Sequence, residues 1–329
     1  GYVPVIKVGE NATLTIQDTS EGAAGKITSN RYGISAVDGG SIVMESGTVE
    51  STDSAFSGNN LTGNMNFVVN GGTLTAQEGP AIYMSGQVKL TITGGTLNGG
   101  VSLRMGQATI SGGTINATTG SIDAPKDYYN NSSNVWFPDA LYVIGGTYGS
   151  EDSHGNSLNL NITGGTFNCA NGQGSAVAIY DLGKVEQTMN ITISGDAKLS
   201  TNATTRGAYD VMSLTDIGVA VPAAGYGTYS GHVNTAITGG LFSSDPSDYV
   251  ADGYYADASN NGDYPYTVKV GTKPDGALIV VKDKTDTAVS GEIAGDDKQK
   301  IESVIDNANV DGVAEAVNPA KKDAIVTQS

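Results

Sequence analysis

Leu90-Thr-Ile-Thr-Gly-Gly-Thr-Leu97 is the stretch from which the fold can be read. Its first four residues alternate apolar and polar with the period of two that a half-buried strand requires, so Leu90 and Ile92 point to one side, Thr91 and Thr93 to the other. A glycine pair then permits a sharp corner, because it tolerates positive φ and leaves no Cβ to clash. Thr96 and Leu97 open the next strand with the aliphatic side chain again inward.

The same grammar recurs at Phe67-Val-Val-Asn-Gly-Gly-Thr-Leu74, Ala108-Thr-Ile-Ser-Gly-Gly-Thr-Ile115, Tyr142-Val-Ile-Gly-Gly-Thr-Tyr148, Leu160-Asn-Ile-Thr-Gly-Gly-Thr-Phe167 and Thr235-Ala-Ile-Thr-Gly-Gly-Leu-Phe242. Weaker copies start at Val43 and Ile191, and an opening coil runs from Val5 to Ile16. From Thr73 through Thr96, Thr114 and Thr147 to Thr166 the steps are 23, 18, 33 and 19 residues. Blades and helical repeats have nearly fixed lengths, whereas a β-helix coil needs a minimum of about 18–25 residues and accepts insertions at its corners. A hairpin reading of each Gly-Gly would need apolar alternation of similar length on both sides, and the second strand is too short for that. The expected fold is all-β, a right-handed parallel β-helix over residues 1–242.

Two long insertions interrupt the repeat. The first, between Thr114 and Gly145, carries Tyr128, Tyr129, Trp136, Phe137 and Asp139, including the only tryptophan. The second runs from Thr205 to His232. Insertions in a solenoid project from one face and are where function is most often placed. These five residues are the candidate ligand-binding set, since flat aromatic rings with a polar rim stack on sugars.

Beyond residue 242 the pattern changes. Residues 243–282 are expected to form a capping turn and a β-hairpin, because an open solenoid end invites unwanted pairing. Residues 283–329 are expected to be a mixed or helical tail, or the start of a following domain. Within them Ile301, Val304 and Ile305 form an i, i+3, i+4 stripe behind an acidic start at Asp296-Asp297.

The Ile-Thr-Gly-Gly-Thr-Phe unit, followed by Phe242-Ser-Ser-Asp-Pro-Ser-Asp-Tyr-Val-Ala-Asp-Gly-Tyr254, resembles the β-helical regions of large secreted, adhesin-like surface proteins of gut Gram-positive bacteria. The resemblance covers about residues 1–270. It implies an extracellular place on a bacterial cell surface, within a longer stalk-like chain, and says little about the ligand.

Composition agrees with that setting. Glycine numbers 46 and proline 9, and only 16% of residues are charged, which suits strands and turns better than solvated helices. A formal charge of −17 without a basic stripe argues against nucleic acid. No run approaches the roughly 20 apolar residues of a membrane span, so membrane insertion of this chain is not expected. The single cysteine, Cys169, reads as a buried thiol in a strand.

Chemistry is sparse. Glycoside hydrolysis needs two carboxylates roughly 5–9.5 Å apart. Asp123, Asp127 and Asp139 in the first insertion, and Asp181, Asp210 and Asp216 later, read more naturally as turn-capping aspartates. A lyase would need cations facing a uronate, yet there are only Arg31, Arg104 and Arg206, which read as surface residues. His154 and His232 sit in separate loops. Asp245/Asp248/Asp252 and Asp257 to Asp263 offer oxygen ligands of the kind calcium takes, but no cofactor is expected and turn capping is the favoured role. No catalytic or metal residue is assigned. The sequence therefore points to a non-catalytic adhesion or stalk module touching glycans or host proteins through its insertions. The alternative is a divergent carbohydrate-active β-helix enzyme, either a polysaccharide lyase or a glycoside hydrolase.

Overall fold

The computed structural model describes residues 3–22, 24–37, 39–58, 65–84, 86–117, 120, 136–144, 157–181, 188–213, 233–258, 262–271, 276–282, 288–294 and 323–326. Contacts divide the chain into two units, Gly1–Asp252 with Ala256–Val270, and Gly253–Tyr255 with Gly271–Ser329.

The larger unit is a parallel β-solenoid of three sheets. The first stacks Pro4–Val8, Tyr32–Ala36, Ser54–Gly58, Ile82–Met84, Val101–Leu103, Leu141–Ile144, Val177–Asp181 and Tyr209–Ser213. The second stacks Thr13–Ile16, Ser41–Met44, Met65–Val69, Gln87–Ile92, Met105–Ile110, Leu158–Ile162, Met189–Ile193 and Val233–Ile237. The third stacks Lys26–Ser29, Thr48–Ser51, Thr73–Ala76, Thr96–Asn98, Thr114–Asn116, Thr166–Cys169, Lys198–Thr201 and Leu241–Phe242. One strand from each sheet makes a coil, and each coil pairs in parallel with the next.

The alternation read from residues 90–97 is the one observed. Leu90, Ile92 and Leu97 are buried, Thr93 is exposed and Thr91 half-buried. Leu90 registers with Phe67 below and Ala108 above, so the apolar column is continuous from coil to coil. The Gly94-Gly95 corner needs both glycines: Gly95 has φ +84°, and a Cβ on Gly94 would lie 2.4 Å from the Asn70 carbonyl oxygen. The Gly-Gly pair separates strands of different sheets, so it is a solenoid corner rather than a hairpin turn.

One repeat copy is re-registered. Leu141–Ile144 lies in the first sheet, between Val101–Leu103 and Val177–Asp181. It is therefore not a member of the series that precedes the Gly-Gly corner. Asn116 and Asn168, neighbours in the third sheet, are 52 residues apart. In sequence, residues 117–140 precede that coil's first strand and residues 145–157 follow it.

Outward side chains form ladders. On the third sheet Asn116 donates to Asn98 at 2.9 Å and Asn168 donates to Asn116 at 3.0 Å. On the second sheet Asn190 donates to Asn159, and Asn234 to Asn190, both at 3.0 Å. These faces are exposed or half-buried, as Thr- and Asn-rich strands should be. The first sheet differs, because much of its outward column is buried too: Ser35 is 1% exposed, Ser57 and Ser102 0%, and Tyr142 2%, while Tyr83 is half-buried. The functional question therefore concentrates there.

At the far end Tyr266–Val270 pairs antiparallel with Leu241–Phe242, and Ser247–Tyr249 forms a short 3-10 turn. In the second unit Gly276–Lys282 pairs antiparallel with Ala288–Ala294 and parallel with Asp323–Val326. Gly276–Lys282 thus finds its partners beyond residue 282 rather than in the cap. The helical reading of residues 296–305 lies outside the described residues.

Candidate functional site at the first sheet

The end of the first insertion, Trp136 to Ala140, leads into Leu141–Ile144 and lays its side chains over the outward column of the first sheet. Trp136 is half-buried and meets Tyr83 edge-on, with ring centroids 5.5 Å apart and planes at 74°. Its seat depends on Gly79, where an added Cβ would lie 3.0 Å from the indole Cε2 and 2.3 Å from the Asp53 carbonyl oxygen. Phe137 is 2% exposed, stacks on Tyr142 at 4.9 Å and packs tilted against Tyr180 at 4.4 Å.

Asp139 is 1% exposed and is the centre of a polar network that crosses three coils. It accepts hydrogen bonds from the Ser175 amide at 2.7 Å, the Tyr180 hydroxyl at 2.6 Å and an Arg206 Nη at 3.2 Å. Arg206 donates through Nε to Asp210 at 2.7 Å, and its guanidinium lies over the Tyr180 ring at 5.8 Å. Burial pushes the Asp139 carboxyl above its ordinary range, against the pull of Arg206, the Ser175 amide and the Tyr180 hydroxyl. Burial also opposes the charge on Arg206, but Asp139, Tyr180 and Asp210 outweigh it and hold the guanidinium as a cation. Tyr180 is kept protonated by burial and by Asp139 beside it.

Of the candidate residues, the structure brings together Trp136, Phe137 and Asp139, while Tyr128 and Tyr129 lie outside the described residues. Trp136 alone among the three keeps appreciable surface. Two arginines read as surface residues prove buried: Arg104 is 1% exposed, and the Arg206 side chain 6%. Arg31 is exposed and pairs with Asp53 at 3.4 Å. Asp123, Asp127, Asp216, His154 and His232 lie outside the described residues. Cys169 is buried, donates to the Pro138 carbonyl at 3.1 Å, and has its thiol pushed up to about 11 by burial and by Asp139.

Sequence reading missed Tyr180 and Arg206. Arg206 and Asp139 are 67 residues apart, and only the stacking of coils brings them together. Asp139 and Asp210 are the two carboxylates gathered here, and Arg206 binds both. Asp139 has 0% side-chain exposure, leaving no room for water on it. What this arrangement does chemically is hold residues 136–140 against the first sheet. Asp245 accepts from the Ser247 amide at 3.0 Å, a turn-capping role. Among the described residues no group of three or more His, Cys, Asp or Glu is gathered as for a metal ion.

The fold and this site define a three-sheet parallel β-solenoid with residues 136–140 held against its first sheet. No known protein-family model matches the chain, and neither a curated protein nor a solved structure does.

Proposed function

We propose that this chain is a non-catalytic extracellular module of a bacterial cell surface, a stalk or adhesion segment that displays its insertions to glycans or host proteins. The observation that carries the reading is the fate of the gathered carboxylates. Asp139 and Asp210 are both engaged by Arg206 and so brace the insertion instead of facing a substrate. The Asn ladders of the second and third sheets likewise use their amides on one another. Trp136, held above Tyr83 and partly open, is the contact residue of choice because a ring face can stack on a sugar. A right-handed coil is part of this proposal, since nearly all parallel crossovers take that hand.

The carbohydrate-active enzyme reading draws on the same Asp139/Asp210 pair. Incubation with pectins, glucans and mucin glycans, followed for reducing ends and for unsaturated uronate absorbance, separates the two. The non-catalytic reading expects no product. Turnover that disappears in Asp210→Asn would overturn it.

A further inference from the structure

Asn-Gly occurs at residues 70, 98, 171 and 261, and the first three of these asparagines lie among the described residues. An asparagine followed by glycine is set up for attack within the chain, because no side chain shields the glycine nitrogen from the amide carbon. The solenoid treats the three differently. Gly99 donates to the Asn116 carbonyl at 2.9 Å, and Gly172 donates to Asn202 Oδ1 at 2.7 Å, so both nitrogens are committed. Gly71 has only the longer arm of a shared bond: the Met44 carbonyl accepts from Asn70 at 2.8 Å and from Gly71 at 3.3 Å. Asn70 is also exposed, whereas Asn98 and Asn171 are half-buried. Asn171 is held further, donating to the Pro138 carbonyl and accepting from the Gln173 and Gly174 amides.

We propose that Asn70 is a site of spontaneous covalent modification, deamidating ahead of Asn98 and Asn171. The Gly71 nitrogen gives its proton to water and forms a bond to Asn70 Cγ. The Cγ–Nδ2 bond breaks, ammonia leaves and a succinimide closes. Water then opens that ring. Opening at Cγ leaves aspartate; opening at the main-chain carbonyl leaves isoaspartate, whose backbone is longer by a carbon. The Thr93 hydroxyl donates to Asn70 Oδ1 at 2.9 Å, where negative charge collects during the attack. Asn116 does the same for Asn98, so the state of the glycine nitrogen decides between them. Either product disturbs the corner. Asn70 Nδ2 donates to Glu45 Oε1 at 3.0 Å, and an acid in its place sets two carboxylates against each other. Nor is there room for a longer backbone, since even a Cβ on Gly71 would lie 2.5 Å from the Glu45 carbonyl oxygen.

The test incubates the full chain in mildly alkaline buffer, folded and unfolded in urea. Peptide mass spectrometry follows the amide-to-acid mass gain and isoaspartate at each position. In the folded chain Asn70 should convert about tenfold faster than Asn98 or Asn171, the scale set by one intact backbone hydrogen bond. In urea the three should convert at similar rates, because the sheets no longer hold the nitrogens. Asn70→Asp, made directly, should melt below the native chain at neutral pH. Asn98 or Asn171 converting as fast as Asn70 in the folded chain would overturn the proposal. So would Asn70 persisting there after the urea sample has converted, or Asn70→Asp melting with the native chain.

Discussion

Asp139 and Arg206 form an ion pair at 3.2 Å in which neither side chain is more than 6% exposed, and it ties the end of the first insertion to a coil 67 residues further on. A buried pair of this kind contributes little net stability over an apolar replacement, yet losing one partner is costly.

Arg206→Met should therefore destabilise the solenoid by about 3–5 kcal/mol, because the buried Asp139 carboxyl loses its cationic partner. Arg206→Met combined with Asp139→Asn should recover part of that loss. Urea unfolding of the two single variants and the double gives the coupling. Additive losses would mean that the pair does not act as a unit.

The pH dependence follows from the raised Asp139 carboxyl. Its folded value lies above its unfolded one, so its stabilising contribution is full below the unfolded value and is lost as pH rises through the folded one. Asp139→Asn has no such proton. The variant should thus gain on the native chain as pH rises from the acid range toward neutrality. Unfolding midpoints of both proteins across that range check this, and a constant difference would place the Asp139 value back in the ordinary range.

Trp136 is the only tryptophan, so its emission reports the seat of the insertion directly. Gly79→Val should force the indole off Tyr83 and strain the Asp53 corner, with a red shift in emission and a loss of about 1–3 kcal/mol. Unchanged emission would show that Gly79 does not form the seat.

The ladders are expected to be unequal. Asn116→Ala removes bonds to both Asn98 and Asn168 on a half-buried face and should cost about 1–2 kcal/mol. Asn190→Ala breaks the equivalent bonds to Asn159 and Asn234 on an exposed face, where water replaces them, and should cost less. Thermal unfolding of the two variants side by side makes the comparison.

The solenoid was legible wherever strands alternate and a glycine pair marks the corner, as in Leu90 to Leu97. Its first sheet was not. Ile82-Tyr-Met84 and Val101-Ser-Leu103 are only three residues each, too short to show a period of two, and the second is buried on both faces. Tyr142-Val-Ile-Gly-Gly reads as a copy of the strand before the Gly-Gly corner, yet Leu141–Ile144 pairs in the first sheet. In the site, an aromatic-rich insertion could be seen from Trp136 and Phe137. Its anchors could not, because Tyr180 and Arg206 look like ordinary strand and loop residues until coil stacking places them on Asp139.

The central claim, that the clamped insertion displays a recognition residue, is tested most directly by binding to immobilised mucins and to plant and host glycans. The native chain and Trp136→Ala are measured in parallel, with and without calcium. The expected result is measurable binding by the native chain and at least a tenfold loss in Trp136→Ala, about 1.4 kcal/mol, with the fold retained. Equal binding by both proteins, or none by the native chain, would contradict it.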